Sequence, residues 1–472
     1  MAYDKHSSKA EDFINHNEIV DSIAYAQTNK DNITLQKEIL SKAAYAKGLS
    51  HRDAAVLLMA SDPEIRHETA RLASDIKHRF YGKRIVLFAP LYLSNYCVNG
   101  CVYCPYHHKN KTIPRHKLTQ DEIRAEVIAL QDMGHKRLAL ETGEHPMYNT
   151  MDYLLESINT IYSIKHKNGA IRRVNVNIAA TTIENYSLLH QAGIGTYILF
   201  QETYNKQNYE ALHPTGPKSD YCYHTEAMDR AMQGGIDDVG CGVLFGLNTY
   251  LYDFIGLLMH AEHLEARFGV GPHTISVPRI CPADDIKVES FPNAIPDDVF
   301  LHIISVIRIA VPYTGIIVST REKEKVRSKA IHIGVSQVSG GSKTTVGGYA
   351  ATTDAKDSAQ FEVSDPRTLD EVVRWLLEEG HIPSFCTACY REGRTGDRFM
   401  QLCKSGQIAN CCGPNALMTL QEYVEDYASE ETRTLAERVI DEELMTIPHE
   451  KVRAIAKQRI ESIKHGERDF RF

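Results

Sequence analysis

The sequence predicts an α/β protein built on a parallel (β/α)8 barrel of the TIM type, with a helical cap before it and a helical domain after it. From about residue 84, short β-branched runs alternate with longer patterns of helical period. Eight runs that are apolar on both faces and separated by helices are typical of a closed parallel barrel. The predicted strands are Arg84–Phe88, Arg137–Glu141, Arg173–Ile178, Tyr197–Gln201, Asp238–Phe245, His273–Val277, Gly315–Ser319 and Ile331–Ser336.

The pattern of the chain divides it into three regions, residues 1–80, 81–340 and 341–472. The first is charged and Ala-rich with little Gly or Pro, which predicts a helical cap. The second holds the barrel. The third combines helical patterns with a second group of cysteines, so we expect a C-terminal helical domain that binds a metal centre.

Between the strands, amphipathic helices are expected at Thr119–Met133 and Asp220–Gln233. After the last strand, Ser339–Tyr349 is rich in Gly and Ser and predicts a flexible loop or lid. It is not a nucleotide-binding P-loop, because no Gly-Lys-Ser/Thr follows a strand at the required spacing. Helical patterns resume at Thr368–Glu379.

Composition excludes several classes of partner. The chain of 472 residues carries a net charge of −8 and no long basic run, so neither nucleic acid nor an anionic membrane is an expected main partner. It has no run of 18 apolar residues, and its first residues do not form a signal peptide. We therefore expect a cytoplasmic protein whose eleven cysteines serve as metal ligands rather than in disulfides.

Three cysteines follow the first predicted strand, in Cys97-Val-Asn-Gly-Cys101-Val-Tyr-Cys104. Thiolates at this spacing can converge on one metal centre. Zinc takes four protein ligands, or three and a water when catalytic, and a [4Fe-4S] cluster usually takes four cysteines. With no fourth cysteine nearby, one metal position is open to another ligand. The loop lies at the C-terminal mouth of the predicted barrel, which is the catalytic end of this fold.

The C-x3-C-x2-C spacing, with Tyr103 directly before the third cysteine, resembles the radical S-adenosylmethionine (SAM) superfamily. The resemblance implies a [4Fe-4S] cluster held by Cys97, Cys101 and Cys104, with SAM chelating the open iron. One electron from the cluster would cleave SAM to methionine and a 5′-deoxyadenosyl radical. Tyr103 belongs to the cofactor-binding residues that the resemblance implies.

Residues near the ends of later strands extend this resemblance. Gly143 and Glu144 are similar to the family's contact with the SAM amino group, since Gly permits close backbone approach and a carboxylate accepts charge-assisted hydrogen bonds. Glu202 ends the fourth strand and Arg230 lies in the helix before the fifth, and both are candidates to contact SAM. Each is equally consistent with an ordinary surface charge or ion pair.

Three residues at the ends of the sixth and seventh strands favour an amino-acid or other small acid substrate. These are Arg279, Ser319 and Arg321, and a guanidinium binds a carboxylate through two hydrogen bonds. A single Arg at a strand end is more often structural. Two at one mouth indicate a carboxylate site, with Ser319 and Arg321 the stronger candidates.

Four longer segments resemble one branch of the superfamily, the tyrosine lyases that mature [FeFe]-hydrogenase. They are Ser94–Cys104, Val174–Thr182, Gly271–Arg279 and Ser384–Arg398. The likeness runs from about residue 80 to 425. The chain departs from the family at His145, where Asp is usual, and at Cys281, where a basic or apolar residue is expected. Neither departure removes a ligand.

This closer resemblance implies a reaction. The radical would remove a hydrogen from the amino group of L-tyrosine, and the Cα–Cβ bond would break to yield p-cresol and dehydroglycine. Dehydroglycine would then be converted to CO and cyanide for assembly of the hydrogenase H-cluster. The implied partners are L-tyrosine, an electron donor of the ferredoxin or flavodoxin type, and the other hydrogenase maturation proteins.

The second group, Cys386, Cys389 and Cys412, has the C-x2-C-x22-C spacing of this branch. The resemblance assigns it an auxiliary [4Fe-4S]-type cluster with an extra iron. Because the tail follows a completed barrel whose catalytic mouth is occupied, we expect it to close the opposite mouth, where strands begin. His273 starts the sixth strand, and it is either a ligand of the extra iron or a hydrogen-bonded histidine.

Two other functions remain open at this point. One is a 2-iminoacetate synthase for thiazole (thiamine) biosynthesis, which stops at dehydroglycine, and the C-terminal cysteines argue against it. The other is a non-enzymatic scaffold that carries an iron–sulfur fragment to a partner. Such a scaffold would need neither the Gly143-Glu144 pair nor two arginines at the catalytic mouth.

Overall fold

The computed structural model describes residues 2–351, 358–406 and 408–472. Its centre is a closed barrel of eight parallel strands that are hydrogen-bonded in chain order, which confirms the predicted fold class. The strands are β1 (Arg84–Ser94), β2 (Arg137–Thr142), β3 (Arg173–Asn177), β4 (Tyr197–Glu202), β5 (Val239–Val243), β6 (Thr274–Ser276), β7 (Gly315–Val318) and β8 (Gln337–Ser339).

The barrel closes between its first and last strands. Val86 and Leu87 of β1 pair with Gln337 and Val338 of β8. Strand interiors such as Leu87, which is 1% exposed, are buried because helices cover the outside of the barrel.

Helices precede, surround and follow the barrel. Those before it are α1 (Ala10–Phe13), α2 (His16–Thr28), α3 (Ile33–Ala43), α4 (His51–Leu58) and α5 (Pro63–Tyr81). Those around it are α6 (Gln120–Asp132), α7 (Met151–Ser163), α8 (Ile183–Gln191), α9 (Lys206–Leu212), α10 (Tyr221–Thr225), α11 (Ala227–Gln233), α12 (Tyr250–Phe268), α13 (Asp297–Ala310) and α14 (Glu324–Ile333). Those after it are α15 (Leu369–Glu378), α16 (Ala388–Arg391), α17 (Gly396–Lys404), α18 (Ala409–Asp426), α19 (Glu430–Leu444) and α20 (Glu450–Lys464).

The N-terminal region is helical, as predicted, and packs on the barrel helices α12 and α13. Side chains of Asn15, Ser50 and Asp62 accept hydrogen bonds from the first turns of α2, α4 and α5, which satisfies backbone donors that a helix start leaves free. His51 joins the cap to α12, because its two ring nitrogens each lie 2.9 Å from a carboxylate, that of Glu18 in the cap and that of Glu262 in α12.

Two predicted elements were wrong in position or extent. The eighth strand was predicted at Ile331–Ser336, but Ile331 belongs to α14 and β8 begins at Gln337. Ile331 and Val335 are buried, so the end of a helix and the following turn together mimic the apolar run of a strand. The predicted helix at Asp220–Gln233 is divided into α10 and α11 at Glu226, whose carboxylate accepts a hydrogen bond from the backbone of Ala10.

The segment after β8 is irregular and is anchored to the barrel. The hydroxyl of Tyr349 donates to the carbonyl of Pro90 at 2.8 Å. The backbone N–H groups of Tyr349 and Ala350 donate to the carboxylate of Glu126 on α6. The end of the predicted lid region is therefore tied to β1 and to a buried carboxylate of α6.

A ninth strand, β9 (Ile382–Ser384), was not predicted and connects the C-terminal region to the barrel. It runs parallel to β1, and Val86 pairs with Ser384 on one side and with Gln337 on the other. Because β8 pairs with one edge of β1 at this position, β9 pairs with the other edge. β2 pairs with that same edge closer to the end of β1. Helix α18 packs on β9, and α19 and α20 pack on α18.

Among the residues that the structure describes, no helix has the length and apolar composition of a membrane span.

A buried ion pair fixes the segment that follows the lid. Arg327 on α14 and Asp365 form an ion pair in which both side chains are fully buried. Arg327 also donates to the carbonyl of Ser339 at the end of β8, and Arg367 pairs with the same aspartate at 2.6 Å. The guanidinium of Arg327 therefore depends on Asp365 for charge compensation.

Replacing Asp365 with Asn should lower the free energy of unfolding by about 3 kcal/mol, because it leaves a buried guanidinium without its counter-charge. The neighbouring arginines lower the pKa of Asp365 against the effect of burial, so the stabilisation is present at neutral pH. It should disappear as the pH falls below about 4, the range where the unfolded carboxyl also gains its proton. Urea unfolding followed by circular dichroism at several pH values measures both effects.

Asp75→Asn is the matched control, because Asp75 forms an exposed ion pair with Arg71 at 3.0 Å. It should change stability by less than about 0.5 kcal/mol. Equal losses in the two variants would contradict the role given to the buried pair.

Candidate active site and second cysteine centre

A cleft that encloses about 1020 Å³, including space open to solvent, forms the first cavity at the C-terminal mouth of the barrel. The structure brings together there most of the site residues predicted from the sequence. The predicted residues that line it are Cys97, Cys101, Tyr103, Cys104, Gly143, Glu144, Glu202 and Arg321. Residues that end or follow four different strands, β1, β2, β4 and β7, thus converge at the end of the barrel that carries catalysis in this fold.

Backbone contacts hold the cysteine loop in place. The N–H of Val98 donates to the carbonyl of Glu144 at 2.8 Å. The N–H of Gly100 donates to the carbonyl of Thr215 in the loop after α9, and that of Val102 donates to the carbonyl of Leu212, the last residue of α9. Gly143 allows this approach, since a Cβ atom there would lie 2.4 Å from the carbonyl oxygen of Tyr96. The Gly-Glu pair therefore packs directly against the loop that carries the cysteines.

The surroundings of the three thiols favour thiolates bound to a metal cluster over free thiolates. Burial raises the pKa of Cys104 to about 12 and raises the pKa of Cys101 above its usual range. Thiolates at these positions need nearby positive charge, which bound iron supplies. In the described residues no three His, Cys, Asp or Glu side chains converge on a single ion, and a cubane does not need this, since each thiolate binds a different iron.

The two carboxylates predicted to contact SAM have different surroundings. Glu144 accepts a hydrogen bond from the side chain of Asn99 at 2.6 Å, and its burial raises its pKa. Glu202 has a φ of +68°, which is unusual for a residue with a side chain, and it forms an ion pair with Lys218 at 2.7 Å. Sequence reasoning missed Asn99 and Lys218.

Glu141 at the end of β2 is a third carboxyl group in the cavity wall. Burial raises its pKa to about 8, although Arg321 and a hydrogen bond from Asn177 oppose this shift. It is therefore protonated at neutral pH. Sequence reasoning passed over Glu141 because it reads as the last residue of a strand.

Tyr103 lies in the wall with its hydroxyl 2.7 Å from Nε2 of His213. Burial lowers the pKa of His213 to about 3, so the ring is neutral. Nδ1 of His213 lies 2.7 Å from the carbonyl of Tyr209 and carries the proton, which leaves Nε2 to accept from the tyrosine hydroxyl. Tyr103 is thus fixed between two cluster cysteines.

The other predicted residues lie outside the described wall of this cavity. Arg230 donates to the carbonyls of Thr181 and Tyr223 and stacks on the Tyr223 ring at 3.8 Å. Arg279 pairs with Glu322 and with Asp297.

Ser319 is half-buried at the end of β7, where its hydroxyl lies 3.4 Å from the backbone nitrogen of Arg321. Arg321 itself lines the cavity, with its guanidinium 3.7 Å over the ring of Phe361.

Both departures from the family pattern have a structural setting. Nδ1 of His145 accepts hydrogen bonds from the backbone of Met147 and Tyr148 at 3.2 and 3.3 Å. An aspartate carboxylate makes the same kind of turn, so the histidine substitutes for it in shape. Burial lowers the pKa of His145, which keeps this nitrogen available as an acceptor.

Cys281 lies in the cavity wall and donates to the carbonyl of Arg321 at 3.7 Å.

A second cavity, which encloses about 630 Å³ including space open to solvent, lies at the opposite mouth, where the strands begin. Its wall contains the remaining predicted ligands, Cys386, Cys389, Cys412 and His273. Strand β9 brings Cys386 to this end, and Arg137 at the start of β2 donates to the carbonyl of Cys386 at 2.8 Å.

The thiols of the second cavity are close to one another. A hydrogen bond between Cys389 and Cys412 lowers the pKa of Cys412 and raises that of Cys389. Burial raises the pKa of Cys386. Cys389 and Cys412 are thus close enough to serve one cluster.

His273 has a polar group near each ring nitrogen, and within the described residues only Nε2 forms a hydrogen bond. The hydroxyl of Tyr390 lies 3.1 Å from Nε2, and a carboxylate oxygen of Asp238 lies 3.4 Å from Nδ1. Tyr390 lines the cavity with His273, whereas Asp238 lies behind the described wall. Sequence reasoning missed Tyr390 and Asp238, because neither residue stands out from its neighbours in the chain.

Two family models match the chain. The model of the Radical SAM superfamily matches residues 91–258, which include the first cysteine group. The model of the Biotin and Thiamin Synthesis associated domain matches residues 276–382. Together they span the barrel from the end of β1 to the start of β9.

Individual proteins are similar over larger parts of the chain. The 2-iminoacetate synthase of Salmonella typhimurium is 31% identical over 348 residues, which is 73% of this chain and 89% of the relative. A crystal structure of HydG, a maturase of the [FeFe]-hydrogenase, is 53% identical, covers 98% of this chain and 100% of its own, and has a TM-score of 0.95. HydG from Carboxydothermus hydrogenoformans is 35% identical, covers 96% and 99%, and has a TM-score of 0.81.

The likeness to HydG therefore extends over the cap, the barrel and the C-terminal region. Radical SAM enzymes work with a [4Fe-4S] cluster and SAM, which fits the donor set of the first cavity. The chain belongs to the radical SAM superfamily, in the group that contains the HydG maturases of [FeFe]-hydrogenase and the 2-iminoacetate synthases.

Proposed function

We propose that this chain is a radical SAM tyrosine lyase of [FeFe]-hydrogenase maturation. It cleaves the Cα–Cβ bond of L-tyrosine to p-cresol and dehydroglycine and converts dehydroglycine to CO and cyanide for the H-cluster. The observation that carries the proposal is a pair of three-cysteine cavities at opposite ends of one barrel. A lyase that releases dehydroglycine needs only the first cavity, and a chain that consumes it needs the second.

In the first cavity, Cys97, Cys101 and Cys104 hold the [4Fe-4S] cluster, which supplies a 5′-deoxyadenosyl radical when SAM is bound. Glu144 binds the SAM amino group, since its buried carboxylate has a raised pKa and gains from a cationic partner. Glu202 and Tyr103 line the same space and orient the rest of SAM. Arg230 is a weaker candidate for contact with SAM, because its guanidinium already donates hydrogen bonds to two backbone carbonyls.

At the substrate end, Arg321 binds the tyrosine carboxylate with Ser319 beside it. Its guanidinium stacks on Phe361 by its face, and this arrangement leaves the edge for a carboxylate. The neighbouring Glu141 is neutral at pH 7, so it does not compete with the substrate for the positive charge. Arg279 is the weaker candidate, since Glu322 and Asp297 already neutralise it.

In the second cavity, Cys386, Cys389 and Cys412 hold an auxiliary [4Fe-4S]-type cluster, and His273 is the ligand of an extra iron. When bound, this centre supplies the metal chemistry that turns dehydroglycine into CO and cyanide. Asp238 lies 3.4 Å behind Nδ1 of His273, on the side where carboxylates lie behind metal-binding histidines, and iron at Nε2 would replace the contact of that nitrogen with Tyr390. The barrel interior then carries dehydroglycine from one mouth to the other.

The partners follow from this reaction. They are L-tyrosine, an external electron donor of the ferredoxin or flavodoxin type, and the other maturation proteins that receive the products. The HydG structures, which are those of a hydrogenase maturase, support this assignment.

The alternative is a 2-iminoacetate synthase that stops at dehydroglycine. The 31% identity to such an enzyme favours it, but that likeness spans 73% of the chain, whereas the likeness to HydG spans 98%. A non-enzymatic scaffold does not account for the substrate-sized cavity that joins the first cysteines to Arg321.

Removing a thiol of the second cavity should separate the two halves of the reaction. We expect Cys389→Ala and Cys412→Ala to form p-cresol from tyrosine near the unmodified rate and to lose CO. His273→Ala should lose the extra iron while keeping both clusters. Anaerobic assays with carboxyl-labelled tyrosine, p-cresol by chromatography and CO by haemoglobin absorbance, together with iron analysis, measure these outcomes.

Cys411→Ala is the matched control, because Cys411 is the neighbour of Cys412 and lies outside the described wall of the second cavity. It should still form CO, whereas Cys101→Ala should form neither p-cresol nor CO. An unmodified chain that makes p-cresol but no CO would instead support the 2-iminoacetate synthase.

Arg321→Lys should raise KM for tyrosine by about 10- to 100-fold, because a point charge cannot replace two parallel hydrogen bonds to a carboxylate. SAM affinity should not change. Arg279→Lys should have a smaller effect, since that guanidinium is already paired. An unchanged tyrosine KM in Arg321→Lys would remove this residue from the substrate site.

A further inference from the structure

A lysine that sequence reasoning missed lies in the wall of the first cavity beside the cluster ligands. Lys218 lies on a short turn after α9 and lines the cavity with Cys101 and Cys104. Its ammonium pairs with the carboxylate of Glu202 at 2.7 Å, and the two side chains are 17% and 10% exposed. It also lies 5.7 Å from the ring of Tyr103, which separates these two cysteines.

The backbone keeps this lysine close to the cysteine loop. The N–H of Lys218 donates to the side-chain oxygen of Asn99 at 3.0 Å, and Asn99 lies between Cys97 and Cys101. Gly216 makes the close approach possible, because its φ is +93° and a Cβ atom there would lie 2.8 Å from Cα of Asn99. These contacts hold the backbone of Lys218 against the cysteine loop, and the ion pair with Glu202 holds its ammonium in the cavity wall.

Glu202 is equally constrained. It ends β4 at an irregularity in the pairing with β5, with a backbone conformation that non-glycine residues rarely adopt. Such strain persists only where surrounding contacts impose it, and the ion pair with Lys218 is one of them.

The pair acts on the cysteines with opposite signs. The ammonium of Lys218 places a positive charge in the cavity wall that Cys101 and Cys104 share, and the carboxylate of Glu202 places a negative charge there. By Coulomb's law the first favours added negative charge at the cysteines, and the second disfavours it. A charge that stabilises a thiolate also stabilises an added electron on a cluster bound by that thiolate.

We propose that the Lys218–Glu202 pair sets the reduction potential of the cluster held by Cys97, Cys101 and Cys104. The positive charge of Lys218 favours the reduced cluster, and the negative charge of Glu202 favours the oxidised cluster. Because the two charges nearly cancel, the pair keeps the reduction potential between the values that either charge alone would set. The step concerned is the transfer of one electron from an external reductant to the cluster, without a proton. The inference rests on the family's cluster and not on tyrosine cleavage, so its failure leaves the proposed function untouched.

The test is the midpoint potential of the reconstituted full-length chain without SAM, followed by electron paramagnetic resonance during titration with dithionite. Cys386→Ala and Cys389→Ala are combined in the parent, so that only the first centre contributes a signal. Lys218→Met should make reduction about tenfold less favourable, which is about 59 mV for one electron. Glu202→Gln should shift the equilibrium about tenfold the other way, and the double variant should return close to the parent.

Two controls separate charge from structure. Lys218→Arg keeps the charge and should keep the potential. Lys206→Met removes a lysine that pairs with Glu11 at 2.8 Å outside the described cavity wall, and it should leave the potential unchanged.

Iron and sulfide analysis establishes that each variant holds its cluster. If Lys218→Met does not assemble a cluster, the other two variants test the proposal. It then requires a higher midpoint potential in Glu202→Gln and an unchanged midpoint potential in Lys218→Arg. Shifts of the same sign in Lys218→Met and Glu202→Gln, or no shift in either, would overturn the proposal.

Discussion

The arrangement of both cysteine groups depends on the pairing of one strand. β1 is eleven residues long and is hydrogen-bonded to β2, β8 and β9. Its last residue, Ser94, leads into the first cysteine loop, and its start pairs with β9, which leads into Cys386. A strand advances about 3.3 Å per residue, so the path from Val86 to Ser94 separates the two ends by about 26 Å. The register of β1 thus sets the position of both cysteine groups.

Much of this arrangement could be predicted because the relevant signals are local. Apolar runs between helical patterns predicted seven of the eight barrel strands close to their observed positions. The spacing of Cys97, Cys101 and Cys104 predicted a shared centre, and the structure brings these residues together with Gly143 and Glu144. The position of Cys386 at the opposite mouth followed from chain order, since the tail comes after a completed barrel.

The rest depends on contacts between segments distant in the chain. Lys218 and Asn99 are 119 positions apart and meet only because the loop after α9 folds over the cysteine loop. Tyr390 and His273 meet only when the C-terminal region docks on the barrel. Strand β9 was missed because three residues, one of them proline, carry too little periodicity to predict a strand.

We propose that two iron–sulfur centres occupy opposite mouths of one barrel. Anomalous X-ray diffraction at the iron edge, from crystals of the anaerobically reconstituted full-length chain, tests it directly. The account predicts one group of iron peaks among Cys97, Cys101 and Cys104, and a second, separated from the first by the length of β1, among Cys386, Cys389, Cys412 and His273. Iron confined to the first group in a fully reconstituted chain that still forms CO would contradict it.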